Sequence, residues 1–304
     1  MLITLRDNPA LSAALRSTLR RLAYRLWQLP PLRGLALQLI RAHTRLEAAH
    51  WLGRWPDRPE ELFNDYLLRL KVSTELDTPL RRRITDKALS KEVIAERLGP
   101  GRAVPTLAVL DTPQAVADYR PPVYPVAVKP THSTARLLRI GSEAEWIAAE
   151  PTLVGWLAHD YFRQSLERNY AGLAHRVIVE PWLDEALALE GSVHCRDGVP
   201  KVVSIVQRYT KARQSYLPDR SPLGVSLVFP LVEFQLESWE FFDPLMADAA
   251  RLAQGFSYLR VDFYTDCHRI VFGELTTITA AGVTTFHPAN GEEIFSKVFF
   301  ASPP

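Results

Sequence analysis

Apolar residues near the N-terminus recur at a spacing that predicts helices. Leucines follow one another every three to four residues from Leu11 to Leu29, which is typical of an amphipathic helix, and Pro30-Pro31 then ends it. A second helix is predicted over 32–52. A third is predicted over 59–71, where the early acidic residues favour a helix N-terminus. The first fifth of the chain is therefore expected to be helical.

Farther along, apolar runs are shorter and richer in β-branched and aromatic residues, which indicates strands. Segments 258–264 and 269–275 predict a hairpin, with the polar residues 265–268 as its loop. Segment 191–209 predicts another hairpin, because its centre is an Arg-Asp-Gly-Val turn. The remaining elements are predicted as strands over 104–110, 123–129, 137–140 and 177–183 and as helical sequence over 85–98, from 112, over 142–170 and over 243–254.

Composition narrows the class of protein without deciding it. The chain has 304 residues, of which 47% are hydrophobic, so it can bury a sizeable core in one to three lobes. Its net charge of +2 gives no reason to expect nucleic acid as a partner. Two distant cysteines predict neither a disulfide framework nor a zinc site, so a reduced, cytoplasmic setting is expected. Arginines interrupt the N-terminal apolar residues, so neither a signal peptide nor a membrane span is predicted.

Two carboxylates lie inside the predicted C-terminal hairpin. Asp262 falls in its first strand and Glu274 near the end of its second. A carboxylate among strand hydrophobics is costly to bury unless a cation meets it. Two acids on paired strands can share one hard cation that keeps open positions for phosphate. The alternative for each acid alone is an ion pair with an arginine such as Arg260 or Arg251. Together the two acids favour magnesium.

Other candidate residues lie where strands end. Lys129 ends a strand before a hydroxyl-rich loop that contains His132 and Ser133, and such a loop can bind phosphate through hydroxyls, backbone N–H groups and the ammonium. Glu180 ends another strand, where it can accept hydrogen bonds from a ribose. Each also has an ordinary interpretation as a charge at the solvent boundary. The same choice applies to Arg208 and Arg213 in the polar stretch after the central hairpin, which can grip phosphate or carboxylate.

Residues 1–50 are locally basic. A basic amphipathic helix with a tryptophan can lie on an anionic membrane surface or hold a partner. The alternative is a pair of helices packed on the main body with their arginines solvated, and this alternative is favoured. Peripheral membrane contact through residues 1–50 stays open as the second interpretation.

In order along the chain, these features resemble the ATP-grasp superfamily, and more closely its TupA-like branch, named for a teichuronopeptide biosynthesis protein. The resemblance covers about 59–288. It rests on FNDYLLRLK with the later TDK, VAVKPTHS, RVIVEPWLDE, FSYLRVDFY and FGELT. The last two segments together are the more specific part of the match.

The resemblance implies an α+β, ATP-grasp fold in which two α+β lobes clasp ATP, with an N-terminal helical extension. The expected segments are the basic helical extension 1–55, a helical or small α+β segment 56–122, a lobe with phosphate loop and hinge 123–185, and a C-terminal lobe with the metal-binding strands 186–304. The roles implied are nucleotide binding by Lys129, His132, Ser133, Glu180, Trp182 and Leu183 and magnesium binding by Asp262, Glu274 and Thr276. Arg208 and Arg213 are chosen for their charge as the catalytic candidates, either to stabilise the transferred phosphoryl group or to hold the acid.

Two departures from the family pattern affect the nucleotide site. The loop after the lysine is usually glycine-rich, whereas 131–135 contains no glycine, which restricts the approach of its backbone to phosphate. A lysine expected near the nucleotide is replaced within Glu190-Gly191-Ser192, and Arg136 or Arg213 could substitute for it.

The function that the resemblance implies is ATP- and Mg²⁺-dependent ligation of a carboxylate to an amine through an acyl phosphate. The acid is expected to be small or linked to a carrier, and the setting is glycan or secondary-metabolite biosynthesis. Two alternatives stay open: a phosphotransferase with a hydroxyl acceptor, and a non-catalytic nucleotide-binding scaffold of the same fold. The retained acids favour an enzyme, whereas the missing glycines favour the scaffold.

Overall fold

A computed structural model describes residues 9–56, 61–183 and 187–302, and it contains two antiparallel sheets with helices packed around them. Within those ranges the α-helices are α1 (Pro9–Trp27), α2 (Arg33–Trp51), α3 (Phe63–Val72), α4 (Pro79–Thr85), α5 (Lys87–Leu98), α6 (Pro113–Asp118), α7 (Glu143–Leu157), α8 (Tyr161–Ser165), α9 (Phe242–Ala253) and α10 (Gly291–Phe300). The strands are β1 (Ala108–Leu110), β2 (Val126–Pro130), β3 (Leu138–Ile140), β4 (Val177–Pro181), β5 (Leu189–Arg196), β6 (Val199–Gln207), β7 (Arg213–Tyr216), β8 (Ser226–Leu227), β9 (Tyr258–Thr265), β10 (Ile270–Thr276) and β11 (Phe286–His287). Short 3₁₀ helices cover Pro30–Leu32, Thr74–Asp77, Arg168–Tyr170 and Thr279–Gly282.

The helices predicted from periodicity and capping residues are present. The two N-terminal helices are α1 and α2, separated by the predicted proline turn. The predicted start of the third helix at residue 59 lies outside the described residues, and α3 begins at Phe63. The Asp86 side chain caps α5, because its Oδ1 accepts hydrogen bonds from the backbone N–H groups of Ala88 and Leu89 at 2.9 and 3.2 Å.

The smaller sheet has four strands in the order β1-β4-β2-β3. The valines of β2 and β4 face α6 and α7 and form one core with the fully buried Trp146. Ala127 lies opposite Glu180 in the ladder, so Lys129, two residues further along β2, points to the same face as Glu180. This sheet therefore turns a lysine and a glutamate away from its own core.

The larger sheet has five strands in the order β10-β9-β5-β6-β7. Burial alternates along β9: Leu259, Val261 and Phe263 enter the core, whereas Arg260 and Asp262 are only partly buried on the opposite face. Helices α5 and α9 cover the core face. The strand predicted over 258–264 is confirmed, and its alternating burial leaves one face of the sheet for a polar cleft.

Helices α1 and α2 pack on the body of the protein. Ala23 and Ile40 are fully buried against Phe162, Leu166 and Ala171. This is the packing that the sequence favoured; contact with a membrane surface stays a prediction. No helix in the described part of the chain is both long and apolar enough to cross a membrane.

Candidate active site

The two acids of the C-terminal hairpin lie directly opposite each other. Asp262 on β9 is the ladder partner of Glu274 on β10, and directly opposed residues on antiparallel strands share a face. A β-bulge between Phe272 and Glu274 creates this pairing. Without the extra residue, Glu274 would lie opposite Val261 and point into the core, because a shift of one residue reverses every side chain.

The bulge residue is Gly273, and a side chain at this position would be crowded. A Cβ atom there would lie 2.9 Å from Cε2 of Tyr264, a side chain on the same face as Asp262. Glycine thus admits both the bulge and the tyrosine beside it. The pattern of burial agrees, since Phe272 and Leu275 both enter the core although they are three positions apart, a spacing that puts residues of a regular strand on opposite faces.

Each acid also has a cationic partner. Arg260 Nε and Nη2 donate to the two oxygens of Asp262, both at 2.7 Å, and the Thr276 hydroxyl donates to Asp262 Oδ2 at 3.1 Å. Lys87 Nζ lies 3.2 Å from Glu274 Oε1. The arginine pair considered from the sequence is therefore present for Asp262, and Glu274 has a lysine instead.

Different charge environments set the pKa values of these two acids in opposite directions. Burial raises the pKa of Asp262, and the repulsion from Glu274 adds to that despite the attraction of Arg260. Burial also works against ionisation of Glu274, but Lys87, Lys129 and Arg260 outweigh it, so the pKa of Glu274 lies below its usual value. Glu274 is thus held as a carboxylate, and Asp262 gains from any further cation placed beside it.

A cavity of about 280 Å³, which we name the acid-pair cavity, opens beside these two acids. Its lining combines Asp262, Glu274 and Arg260 of the larger sheet with Lys129 of the smaller one. It therefore lies between the two sheets and is bordered by both carboxylates and two cations.

A second space of about 260 Å³, the hinge cavity, lies along the end of β4. Four of its lining residues were predicted to bind the nucleotide: Lys129, Glu180, Trp182 and Leu183. The acid-pair and hinge cavities share Lys129, Glu190 and Tyr264, so they adjoin. Together they form one elongated cleft with a polar end at the acids and a mixed apolar and polar end at the hinge.

Glu180, in the wall of the hinge cavity, joins two lysines. It is 2% exposed, its Oε2 lies 2.6 Å from Lys129 Nζ, and its Oε1 contacts Lys91 Nζ. The attraction of Glu180 overcomes burial and raises the pKa of Lys129, whereas burial lowers that of Lys91. Lys87 and Lys91 are one helical turn apart on α5, so a single helix face supplies a cation to Glu274 and another to Glu180.

The structure places His132 and Ser133 in the protein interior. They are 2% and 1% exposed, and neither is among the described residues lining the two cavities. The loop after β2 packs on the start of α5: the Thr131 hydroxyl donates to Asp86 Oδ2 at 3.1 Å, and Lys87 Nζ donates to the Ser133 carbonyl at 2.6 Å. This anchoring explains why the side chains predicted to meet phosphate turn inward.

His132 has its own partners there. Its ring stacks on His175 at 4.2 Å, its Nε2 lies 2.9 Å from the His159 carbonyl, and its Nδ1 accepts from the Arg176 backbone N–H at 3.3 Å. Burial, with a smaller contribution from His175, lowers the pKa of His132 to about 4. The ring is therefore a neutral packing element at physiological pH.

The two predicted catalytic arginines lie apart from the acid pair. Arg208 lines the hinge cavity, and its Nη1 donates to the Leu187 carbonyl at 2.9 Å. Arg213 lines a smaller space of about 130 Å³, the arginine cavity, together with Arg260. The acid-pair and arginine cavities share Arg260 and three residues of β5 and β6, so Arg213 borders the far side of the same cleft.

A protein-family comparison decides what this fold is. The model of the family described as TupA-like ATPgrasp matches residues 67–300, which is most of the chain. The chain belongs to the TupA-like ATP-grasp family. The α+β, two-lobed ATP-grasp fold implied by the sequence is thereby confirmed.

Similar folds occur among solved ATP-grasp structures at low sequence identity. A D-alanine–D-alanine ligase from Bacillus anthracis in complex with ATP is 15% identical with a TM-score of 0.42, over 64% of this chain and 54% of that one. An L-amino acid ligase from Bacillus licheniformis is 14% identical with a TM-score of 0.44, over 81% and 55%. D-cycloserine synthetase DcsG is 16% identical with a TM-score of 0.44, over 84% and 92%. The chain thus spans about half the length of the first two. No curated protein sequence matches it significantly.

Several polar residues of this TupA-like ATP-grasp cleft were not assigned to the site from the sequence, where Arg260 was considered only as an ion-pair partner of an acid. Arg260 shares the face of Asp262 because it is two residues away on β9, a relation that strand alternation alone could have indicated. For Lys87 and Lys91 the sequence offers a weaker indication: they are four residues apart on a predicted helix, so they lie on one face of it. Glu190 and Tyr264 lie at the junction of the two cavities, which depends on how the sheets meet.

The donor set of this TupA-like ATP-grasp protein fits magnesium. Asp262 and Glu274 offer carboxylate oxygens on one face, and the Thr276 hydroxyl touches Asp262 although Thr276 does not line the cavity. Within the described ranges no group of three or more His, Cys, Asp or Glu side chains is placed to hold a metal ion. Mg²⁺ commonly takes only one or two carboxylates and completes its shell with water and substrate phosphate, so two acids beside an open cavity suffice.

Proposed function

We propose that this chain is an ATP- and Mg²⁺-dependent carboxylate–amine ligase that works through an acyl phosphate. The observation that carries the proposal is the opposed pair Asp262 and Glu274 at the polar end of a cleft that also receives Lys129. Membership of the TupA-like ATP-grasp family supports ATP as the nucleotide.

ATP is proposed to lie along the cleft with its base and ribose at the hinge cavity and its phosphates at the acid-pair cavity. Trp182 and Leu183 supply apolar surface for the base. Glu180, whose two oxygens pair with Lys129 and Lys91, would accept hydrogen bonds from the ribose through its remaining lone pairs. Lys129 borders both cavities, and its raised pKa keeps it charged for phosphate oxygens. Asp262 and Glu274 would hold Mg²⁺, which neutralises phosphate charge in such reactions.

The acid substrate is proposed to enter through the arginine cavity. Arg213 and Arg260 border it, and a guanidinium matches the two oxygens of a carboxylate. One carboxylate oxygen attacks the γ-phosphorus while the bond to the β-phosphate oxygen breaks, which gives an acyl phosphate and ADP. Arg260, which borders both cavities, is the side chain placed to stabilise the charge on the transferred group.

In the second step an amine nitrogen attacks the acyl carbon and the carbon–oxygen bond to phosphate breaks, so that phosphate leaves with the bonding electrons. The nitrogen then gives a proton to the released phosphate, which leaves an amide. An acyl phosphate hydrolyses readily in water, so the intermediate must be enclosed. The cleft lies between two sheets from different lobes, and closure of one lobe on the other would supply this enclosure.

Hydroxylamine trapping tests the proposal. The full chain is incubated with ATP, Mg²⁺, hydroxylamine and a panel of small carboxylic acids. We expect a hydroxamate of one acid to form in step with ADP, because hydroxylamine intercepts an acyl phosphate. ADP release with a phosphorylated hydroxyl product and no hydroxamate would identify a phosphotransferase instead.

Two observations favour a non-catalytic scaffold as the second candidate. Asp262 and Glu274 are both engaged by protein cations, and the glycine-free loop after β2 is anchored to α5. A scaffold would bind ATP, as measured by calorimetry, but release no ADP with any acid in the panel. That result would contradict the ligase proposal and leave the family assignment intact.

A further inference from the structure

The largest of the cavities described here lies away from the nucleotide cleft. It measures about 430 Å³ and lies where the end of α1 meets α8 and the segment 168–175. It shares no lining residue with the acid-pair, hinge or arginine cavities. Its volume falls in the range typical of small-molecule sites.

Its lining carries more positive than negative charge, and its negative charges already have partners. Asp77 Oδ2 lies 2.7 Å from Arg168 Nη1. Asp160 Oδ2 accepts a hydrogen bond from the Tyr24 hydroxyl at 2.8 Å, and its Oδ1 caps α8. The two carboxylates therefore offset only part of the charge of the three guanidinium groups in the wall, and within the described ranges neither forms an ion pair with the other two guanidinium groups.

Those two groups belong to Arg33 and Arg82, whose hydrogen bonds to other described residues go to backbone carbonyls. Arg33 Nε donates to the Trp27 carbonyl at 3.2 Å, and Arg82 Nη2 donates to the Ala171 carbonyl. Among the residues that the structure describes, no carboxylate forms an ion pair with either of them. A guanidinium has five N–H donors, so most donors of both groups remain for a ligand.

The rest of the wall is built for a ligand with an apolar part. Arg168 is 2% exposed, and its buried Nε has no hydrogen-bond partner within the described ranges. The Trp27 ring lies 5.6 Å from the Arg33 guanidinium and 5.9 Å from that of Arg168. Both guanidinium groups lie over this ring, and the wall also includes Phe162 and Ala171. The wall therefore offers apolar surface beside arginines that can bind an anionic head.

We infer that this cavity is a second ligand site, for a small molecule with a phosphate or carboxylate head and an apolar or aromatic body. Trp27 and Arg33 precede the segment matched by the family model, whereas Arg82 and Arg168 lie within it. The site therefore forms where the N-terminal helices meet the ATP-grasp body. The basic extension contributes binding groups to it, besides covering the core.

Calorimetry on the full chain tests this site with two probes, phenyl phosphate and benzoate. Excess AMP-PNP and Mg²⁺ are present throughout, so that the probes do not report on the nucleotide cleft. We expect one probe to bind, and the tighter of the two identifies the preferred head group. The readout is binding alone, so it does not depend on catalytic turnover.

Three charge-neutralising substitutions locate the binding. Arg82→Gln and the exposed Arg33→Gln should each weaken it about tenfold, the effect of losing one charge-assisted hydrogen bond. Arg25→Gln, on the exposed surface of α1 and away from the cavity, should leave it unchanged. If Arg82→Gln fails to fold, Arg33→Gln alone decides. Absence of binding by both probes, or equal weakening by Arg25→Gln, would overturn the inference.

Discussion

Asp262 and Glu274, on neighbouring strands, face each other beside the cleft, whereas His132 and Ser133, in the loop after β2, pack into the interior. The sequence predicted both pairs at the nucleotide site, the acids as ligands of Mg²⁺ and the loop residues as contacts of the phosphates. Strand residues keep a fixed alternation between faces, so a polar residue among buried neighbours must point away from the core. A loop has no such rule, and its orientation depends on the partner it meets, here the start of α5.

The largest effect is expected from the strand acids. Asp262→Asn keeps an oxygen for Arg260 but removes a charge from the Mg²⁺ ligand set, so Mg²⁺-dependent ADP release should fall at least about a hundredfold. Steady-state kinetics and a thermal melt measure the loss and the retained fold. Asp266→Asn, in the loop of the same hairpin, is the control and should be active. An Asp262→Asn protein with full turnover would remove the metal assignment.

The affinity for ATP should depend on Lys129 of β2 but not on Ser133 in the loop after β2. Lys129→Gln should weaken ATP binding about ten- to a hundredfold, since it removes a charge-assisted contact, while Lys91 still pairs with Glu180. Ser133→Ala should leave affinity unchanged, because that hydroxyl is buried without a hydrogen-bond partner among the described residues. Calorimetry with AMP-PNP and Mg²⁺ measures both, and Lys297→Gln on exposed α10 surface is the charge control. Equal losses in the lysine and serine variants would refute the distinction.

Acid sensitivity should show that His132 is a packing residue. Its pKa is about 4 in the folded protein against 6.5 unfolded, so the unfolded state binds more protons between these values and stability falls as pH drops through them. From pH 7 to pH 5 this residue should account for about 2 kcal/mol of lost unfolding free energy. Urea titrations of wild type and His132→Gln at both pH values measure it. The variant should lose that much less, whereas the exposed His50→Gln should behave as wild type.

The smallest effect concerns the glycine-free loop. Ala135 has φ = 58°, a left-handed conformation that disfavours any residue with a Cβ atom. Ala135→Gly should therefore stabilise the protein by about 0.5–1 kcal/mol. Ala95→Gly, on the exposed side of α5, should do the opposite by about 1 kcal/mol. Chemical denaturation compares the two, and destabilisation by Ala135→Gly would contradict the assigned conformation.

Most of the fold and part of the site could be predicted from the sequence, because the spacing of apolar residues determines which side of a helix or strand faces the core. The alternation along β9 places Asp262 opposite the core, and the leucine spacing predicts α1. The bulge at Gly273 could not be predicted, although it alone turns Glu274 toward the cleft. Its one sign in the sequence is that the core residues Phe272 and Leu275 are three positions apart rather than two. Arg208 directly follows β6 and Arg213 begins β7, and the cavity that each borders depends on how distant parts of the chain pack together, which no local pattern encodes.

The most direct test of the shared-cation site is a crystal of the full chain grown with ADP and Mn²⁺, a substitute for Mg²⁺ with an anomalous signal. We expect one anomalous peak about 2.2 Å from a carboxylate oxygen of Asp262 and of Glu274, with a phosphate oxygen in the same shell. Arg260 and Lys87 should then have released these acids at least in part. A nucleotide bound with Mn²⁺ elsewhere, and both ion pairs unchanged, would contradict the account.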